Sequence, residues 1–150
     1  MPFEEKTSWV SGLVAVVVAG AYASVVVPHI GGGSVSAIAY QRPMLIAIGA
    51  MIVMTIIVTI LMAIGTAVTA QITGDGSPDD VGRTDERDKD INRRGELIGY
   101  YVSSIGMLAA LALAMLEADH FWIANAIFAG FMISSVVGSA YKVFLYRRGF

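Results

Sequence analysis

The chain has 150 residues, of which 56% are hydrophobic and only 15% charged, with a mean hydropathy of +0.69 and a formal net charge of −2. A soluble domain carries about a quarter charged residues, so this composition belongs to a membrane protein. Cysteine is absent, which excludes disulfides, thiolate-bound zinc, iron–sulfur clusters and thiol catalysis, and the few clustered basic residues leave no broad face for nucleic acid.

Four apolar runs, at about 9–27, 44–70, 97–116 and 121–145, meet the requirement of roughly 20 residues for a hydrocarbon core about 30 Å thick. None contains Asp, Glu, His or Arg, and Lys142 lies near the end of the last run, where its stem can snorkel to the interface. The expected fold class is therefore all-α: one membrane domain over 1–150, built as a bundle of four transmembrane helices. The first run carries Ala21-Tyr22-Ala23, a small-x-small pattern like a signal-peptidase site. It is preceded by PFEEK rather than a basic segment and stays apolar through Val27, so it is expected to remain as a span.

Between the first two runs stands PHIGGGSVSAIAYQRP, with Arg42 its only Lys or Arg. The other nine are Lys6, Arg83, Arg87, Lys89, Arg93, Arg94, Lys142, Arg147 and Arg148, all on the opposite side of the predicted membrane. Basic residues in short loops near span ends are retained in the cytoplasm, so both termini and the loop 71–95 are expected on the cytoplasmic side of the cell membrane.

In that loop, TGDGSPDDVG reads as a linker, and Thr84 is the expected N-cap of a helical stem from about 84, with Asp85 and Glu86 in its first turn. Asp85 with Lys89, and Asp90 with Arg94, form acid-before-base pairs at i, i+4. Ile91 shares a helix face with Gly95, Ile98, Gly99 and Val102, a stripe that runs from the stem into the span and predicts packing against something. Two readings follow: a solvated stem that prolongs the span, or an interaction site for a cytoplasmic or membrane protein partner at Asp85, Glu86, Arg87, Asp88, Ile91 and Gly95.

Within the spans, small residues recur every four positions: Ser11, Ala15, Ala19 and Ala23 in the first; Gly95, Gly99 and Ser103, then Gly106, Ala110 and Ala114, in the third; Ala126, Gly130, Ser134 and Gly138 in the fourth. Such ridges let helix backbones approach where lipid gives no hydrophobic drive for association. Packing within one bundle is the expectation, with a homodimer seam as the alternative. Asn125 is the deepest polar side chain, expected to hydrogen-bond between helices, with Ser103, Ser104, Ser134 and Ser135 as hydroxyl partners.

His29, Glu117, Asp119 and His120 lie on the outer side in separate loops, and nothing in their spacing fixes a metal site. Trp122, Phe121 and Tyr40 fit an interfacial aromatic belt, as Trp9 does at the other end. G-x-S-x-G, a phosphate-binding glycine loop, H-E-x-x-H and a histidine inside a span are all missing, so no cofactor and no enzyme activity are expected.

The strings FEEK with Trp9, DERDKDI followed by RRGELIGYY, FWIAN and the terminal YRRGF resemble a family of uncharacterised small bacterial four-span membrane proteins, frequent in actinobacteria. The resemblance implies a fold and a membrane but no catalytic residues. The expected role is that of an accessory, regulatory or structural membrane component using its charged stem. A small transporter or channel subunit is the alternative.

Overall fold

The computed structural model describes residues 3–73 and 86–148 and is entirely helical over them apart from turns. Four long helices follow one another: α1 (Phe3–Val26), α2 (Gln41–Thr73), α3 (Glu86–Met115) and α4 (His120–Arg147). Each is long and apolar enough to cross a membrane. Leu45, Ile46, Ile105, Leu108 and Leu116, among others, are more than half exposed. A soluble protein does not tolerate apolar surface on that scale, whereas lipid matches it. The molecule is a multi-pass membrane protein.

The helix limits have local causes. α1 begins at Phe3, well before the apolar run, because Glu4 and Glu5 in its first turn face the positive end of the helix dipole. It ends at Val26 because Pro28 disfavours helical backbone at Val27 and offers no N–H, and a short 3-10 turn over Val27–His29 follows. In α2, Pro43 lies in the first turn, where a missing N–H costs nothing. At 33 residues α2 is about 50 Å long at 1.5 Å per residue, more than the membrane requires.

α3 and α4 form a tight antiparallel hairpin. The Ala118 amide donates to the Leu113 carbonyl at 2.9 Å and the Glu117 amide to that of Ala114 at 3.1 Å, which closes α3 in a Schellman motif. Glu117 holds the left-handed position at φ 53°, where glycine is the usual occupant. Two residues later the Asp119 carboxylate accepts from the Phe121 amide at 2.9 Å and caps α4.

The extensively packed pairs are α3 with α4, α4 with α1, and α1 with α2. Among the described residues no fourth seam of that extent joins α2 to α3. The helices therefore stand in the serial order α3–α4–α1–α2, with α4 and α1 in the middle. One core cluster, in the half away from the charged end, joins Val14, Val18, Tyr22 and Val26 of α1 to Ala47 of α2 and to Phe121, Phe128 and Met132 of α4. The loop after α1 folds back on it through Val35, Ile38 and Tyr40. Phe121, expected in an interfacial belt, is instead 1% exposed and meets Tyr40 edge-on at 5.3 Å. A second, smaller cluster of Ile91, Leu145 and Tyr146 closes the charged end.

Candidate functional site

The charged end is built on the first three turns of α3, which is a single helix from Glu86 to Met115. Its 30 residues span about 45 Å, so a core of about 30 Å leaves room for a stem outside it. At 100° per residue, Asp88, Ile91, Gly95 and Gly99 fall on one face of this helix, and Glu86, Lys89, Arg93 and Glu96 on the other. The first face is covered by α4. Ile91 is 1% exposed and packs on Leu145 and Tyr146, while Gly95 lies under Lys142, whose stem a side chain at 95 would meet. The second face is exposed throughout.

Polar contacts tie three helices together around this cluster. The Tyr146 hydroxyl donates to Asp88 Oδ1 at 2.9 Å, and Arg87 Nη2 reaches the Tyr146 carbonyl at 3.5 Å. Asn92 Nδ2 donates to Glu4 Oε2 at 3.4 Å, which brings in α1. Arg147 stands 3.9 Å from Glu5 Oε1 and over the Trp9 ring at 5.4 Å. Glu5 is 8% exposed, so its end of this pairing is less screened than either end of the Arg94–Asp90 pair, which stands at 2.8 Å with both side chains half-exposed.

The sequence-derived stem site thus divides. Asp85, with Thr84 and the Asp85–Lys89 pair, lies outside the described residues. Glu86 and Arg87 are exposed, Asp88 is half-buried against Tyr146, and Ile91 and Gly95 are internal packing positions. The apolar stripe does pack, and what it packs on is the same chain's α4. Tyr146 was legible only as part of the YRRGF string, because nothing local marks it as a partner of Asp88, 58 residues away.

The glycine ridges of α3 and α4 face each other. A Cβ on Gly106 would stand 2.6 Å from the Gly130 Cα, and one on Gly130 2.9 Å from the Gly106 Cα, so these backbones are in direct contact. Gly138 meets the Gly95 carbonyl, and the Ser134 hydroxyl donates to the Gly99 carbonyl at 2.7 Å. Ala15 of the α1 ridge is fully buried, and Gly12 beside it rests on Ser139.

Asn125 does bond between helices, but to a partner the sequence reading missed: the Tyr22 hydroxyl donates to its Oδ1 at 2.7 Å. Its amide donates back to the Phe121 carbonyl at 2.8 Å. The expected serine partners are engaged elsewhere or lie apart. Ser103 and Ser104 both donate to the Tyr100 carbonyl, and Ser134 to α3.

On the far end, the ring of His29 contacts the Val25 carbonyl, Asp119 caps α4, and Glu117 closes α3. Among the described residues no three His, Asp or Glu side chains converge as metal ligands. Compared with protein-family models, curated proteins and solved structures, the chain matches none.

Proposed function

We propose that this chain is a four-span protein of the cytoplasmic membrane with both termini inside, a non-catalytic accessory, regulatory or structural component that engages a protein partner through the exposed face of its α3 stem. The orientation rests on the nine-to-one distribution of basic residues. The likeness to small four-span bacterial proteins belongs to the same proposal. The observation that carries the role is the two-sided stem: one face is fastened to α4 and α1, which leaves Glu86, Lys89 and Arg93 exposed on the other side of a held helix. A solvated stem needs no such fastening. Fixing a charged helix face in advance lowers the entropy lost when a partner binds it.

The test is a photo-crosslinking amino acid placed at Arg93 on that face and, separately, at Leu111 on the apolar flank of α3. A discrete protein adduct from position 93, absent from 111 and lost on Lys89→Glu, is the expected result. Adducts to none but lipid at both positions would refute the interaction role. Orientation is checked by single cysteines at Ser34 and Ser77: an impermeant reagent should label the first, and not the second, in intact cells.

A further inference from the structure

We propose that a notch between α1 and α3, floored by α4, holds the head of an anionic phospholipid, its phosphate on Lys142 and its ester carbonyls on the serines deeper in. Both flanking helices pack on α4 and only marginally on one another, as in the Asn92–Glu4 hydrogen bond, which leaves a recess of about 400 Å³ open to the side. Ser11, Ser135, Ser139 and Lys142 line it, with Glu96 and Tyr100 also on its wall.

The serines are what mark the recess as a site. Elsewhere in these helices hydroxyls turn back on a carbonyl three or four residues earlier: Ser8 on Glu4, Ser24 on Ala21, Thr55 on Met51, Thr59 on Thr55, Ser104 on Tyr100. That is how a hydroxyl is satisfied in hydrocarbon. Among the described residues, the hydroxyls of Ser11, Ser135 and Ser139 make no such bond, although Ser139 keeps only 9% of its surface. All three residues line one recess and none of their hydroxyls is sealed away unpaired, so an acceptor from outside the chain can reach and satisfy them.

The order in depth selects the ligand. Counting inward from Arg147 at 1.5 Å per residue, Lys142 lies about 8 Å, Ser139 about 12 Å and Ser135 about 18 Å along α4. A cation at headgroup level with hydroxyls beneath it repeats the order of a diacyl phospholipid, phosphate above ester carbonyls. Free phosphate would occupy Lys142 and leave the deeper hydroxyls unmatched. Lys142 is available for this: its side chain is 19% exposed and faces Glu96 at a loose 3.8 Å, while Glu96 is 75% exposed and can swing away.

The experiment is native mass spectrometry of the full chain in mild detergent, titrated with phosphatidylglycerol, phosphatidylcholine or inorganic phosphate. Both heads offer Lys142 the same phosphate, but the choline cation of phosphatidylcholine cancels its charge, so the unmodified protein should prefer phosphatidylglycerol by about fivefold, and Lys142→Gln should abolish that preference. Ser135→Ala with Ser139→Ala should weaken both lipids alike, because both carry the ester carbonyls. Glu96→Gln, at an exposed position that leaves folding intact, should tighten phosphatidylglycerol about two- to threefold by freeing Lys142. Displacement of lipid by inorganic phosphate would make the notch a free-anion site and overturn the proposal. An unchanged preference in Lys142→Gln, or unchanged affinity in Glu96→Gln, would overturn it equally.

Discussion

The α3–α4 hairpin and α2 are both apolar enough to span a membrane, yet the hairpin packs extensively along its length while α2, the most apolar helix, is the least buried. α2 meets α1 mainly through Met44, Ala47, Ala50 and Met51, and exposes Ile52, Ile56, Ile60 and Ile64 further on. α3 and α4 approach until Gly106 and Gly130 touch, and they exchange the hydrogen bond from Ser134 to Gly99. Lipid solvates a leucine or isoleucine as well as another helix does, so greasiness secures insertion but not association. Association comes from small residues that let backbones close and from polar groups that need a partner.

The sharpest way to break this contrast is Gly106→Leu. A leucine there has to displace the α4 backbone at Gly130, so the hairpin should lose about 3 kcal/mol or more, read as a large fall in melting temperature in detergent. A melting temperature equal to that of the unmodified protein would mean that the seam is not where the molecule is held.

Ile91→Ser extends the comparison to the charged end, where the contact is apolar. Replacing a fully buried isoleucine on Leu145 and Tyr146 should cost about 2–3 kcal/mol. Lys89→Glu, on the exposed face, should leave stability within about 0.5 kcal/mol. Equal effects from the two would show that the stem is not fastened by one face.

Tyr22→Phe removes the hydroxyl that Asn125 accepts and keeps the ring against Phe128, whose centroid is 4.5 Å away. Interhelical hydrogen bonds in membranes contribute about 0.6 kcal/mol on average, so a small but measurable loss is expected from unfolding in mixed micelles. A Tyr22→Phe, Asn125→Ala double variant no worse than Asn125→Ala alone would assign the loss to this pair.

The smallest effect is expected at Gly49→Leu in α2. A Cβ at Gly49 has nothing within 4 Å, so leucine meets only lipid, and helix propensity should make the change neutral or stabilising by under about 1 kcal/mol. Destabilisation as large as that of Gly106→Leu would erase the distinction between the two regions.

The sequence by itself determined that there are four helices long and apolar enough to span, that α3 begins in a charged segment, and that small side chains at Gly99, Gly130, Ser134 and Gly138 let backbones approach. These are readable because apolar length, helical period and side-chain size are properties of neighbouring residues. The Asp90–Arg94 pair, at i, i+4, was legible for the same reason. Which surfaces meet was decided only by the tertiary structure. Ile91 was read as packing against something, on a solvated stem or on a docking surface, and α4 was not legible as its cover, since an apolar stripe says that it will be covered but not by what. Asn125 announced a hydrogen bond, yet Tyr22, 103 residues earlier, became its partner because α1 and not α3 carries a hydroxyl at that depth and angle. The recess above Ser135 and Ser139 exists for the same kind of reason: α1 and α3 flank α4 with little contact between them, and no local pattern in either helix records the width of the gap between them.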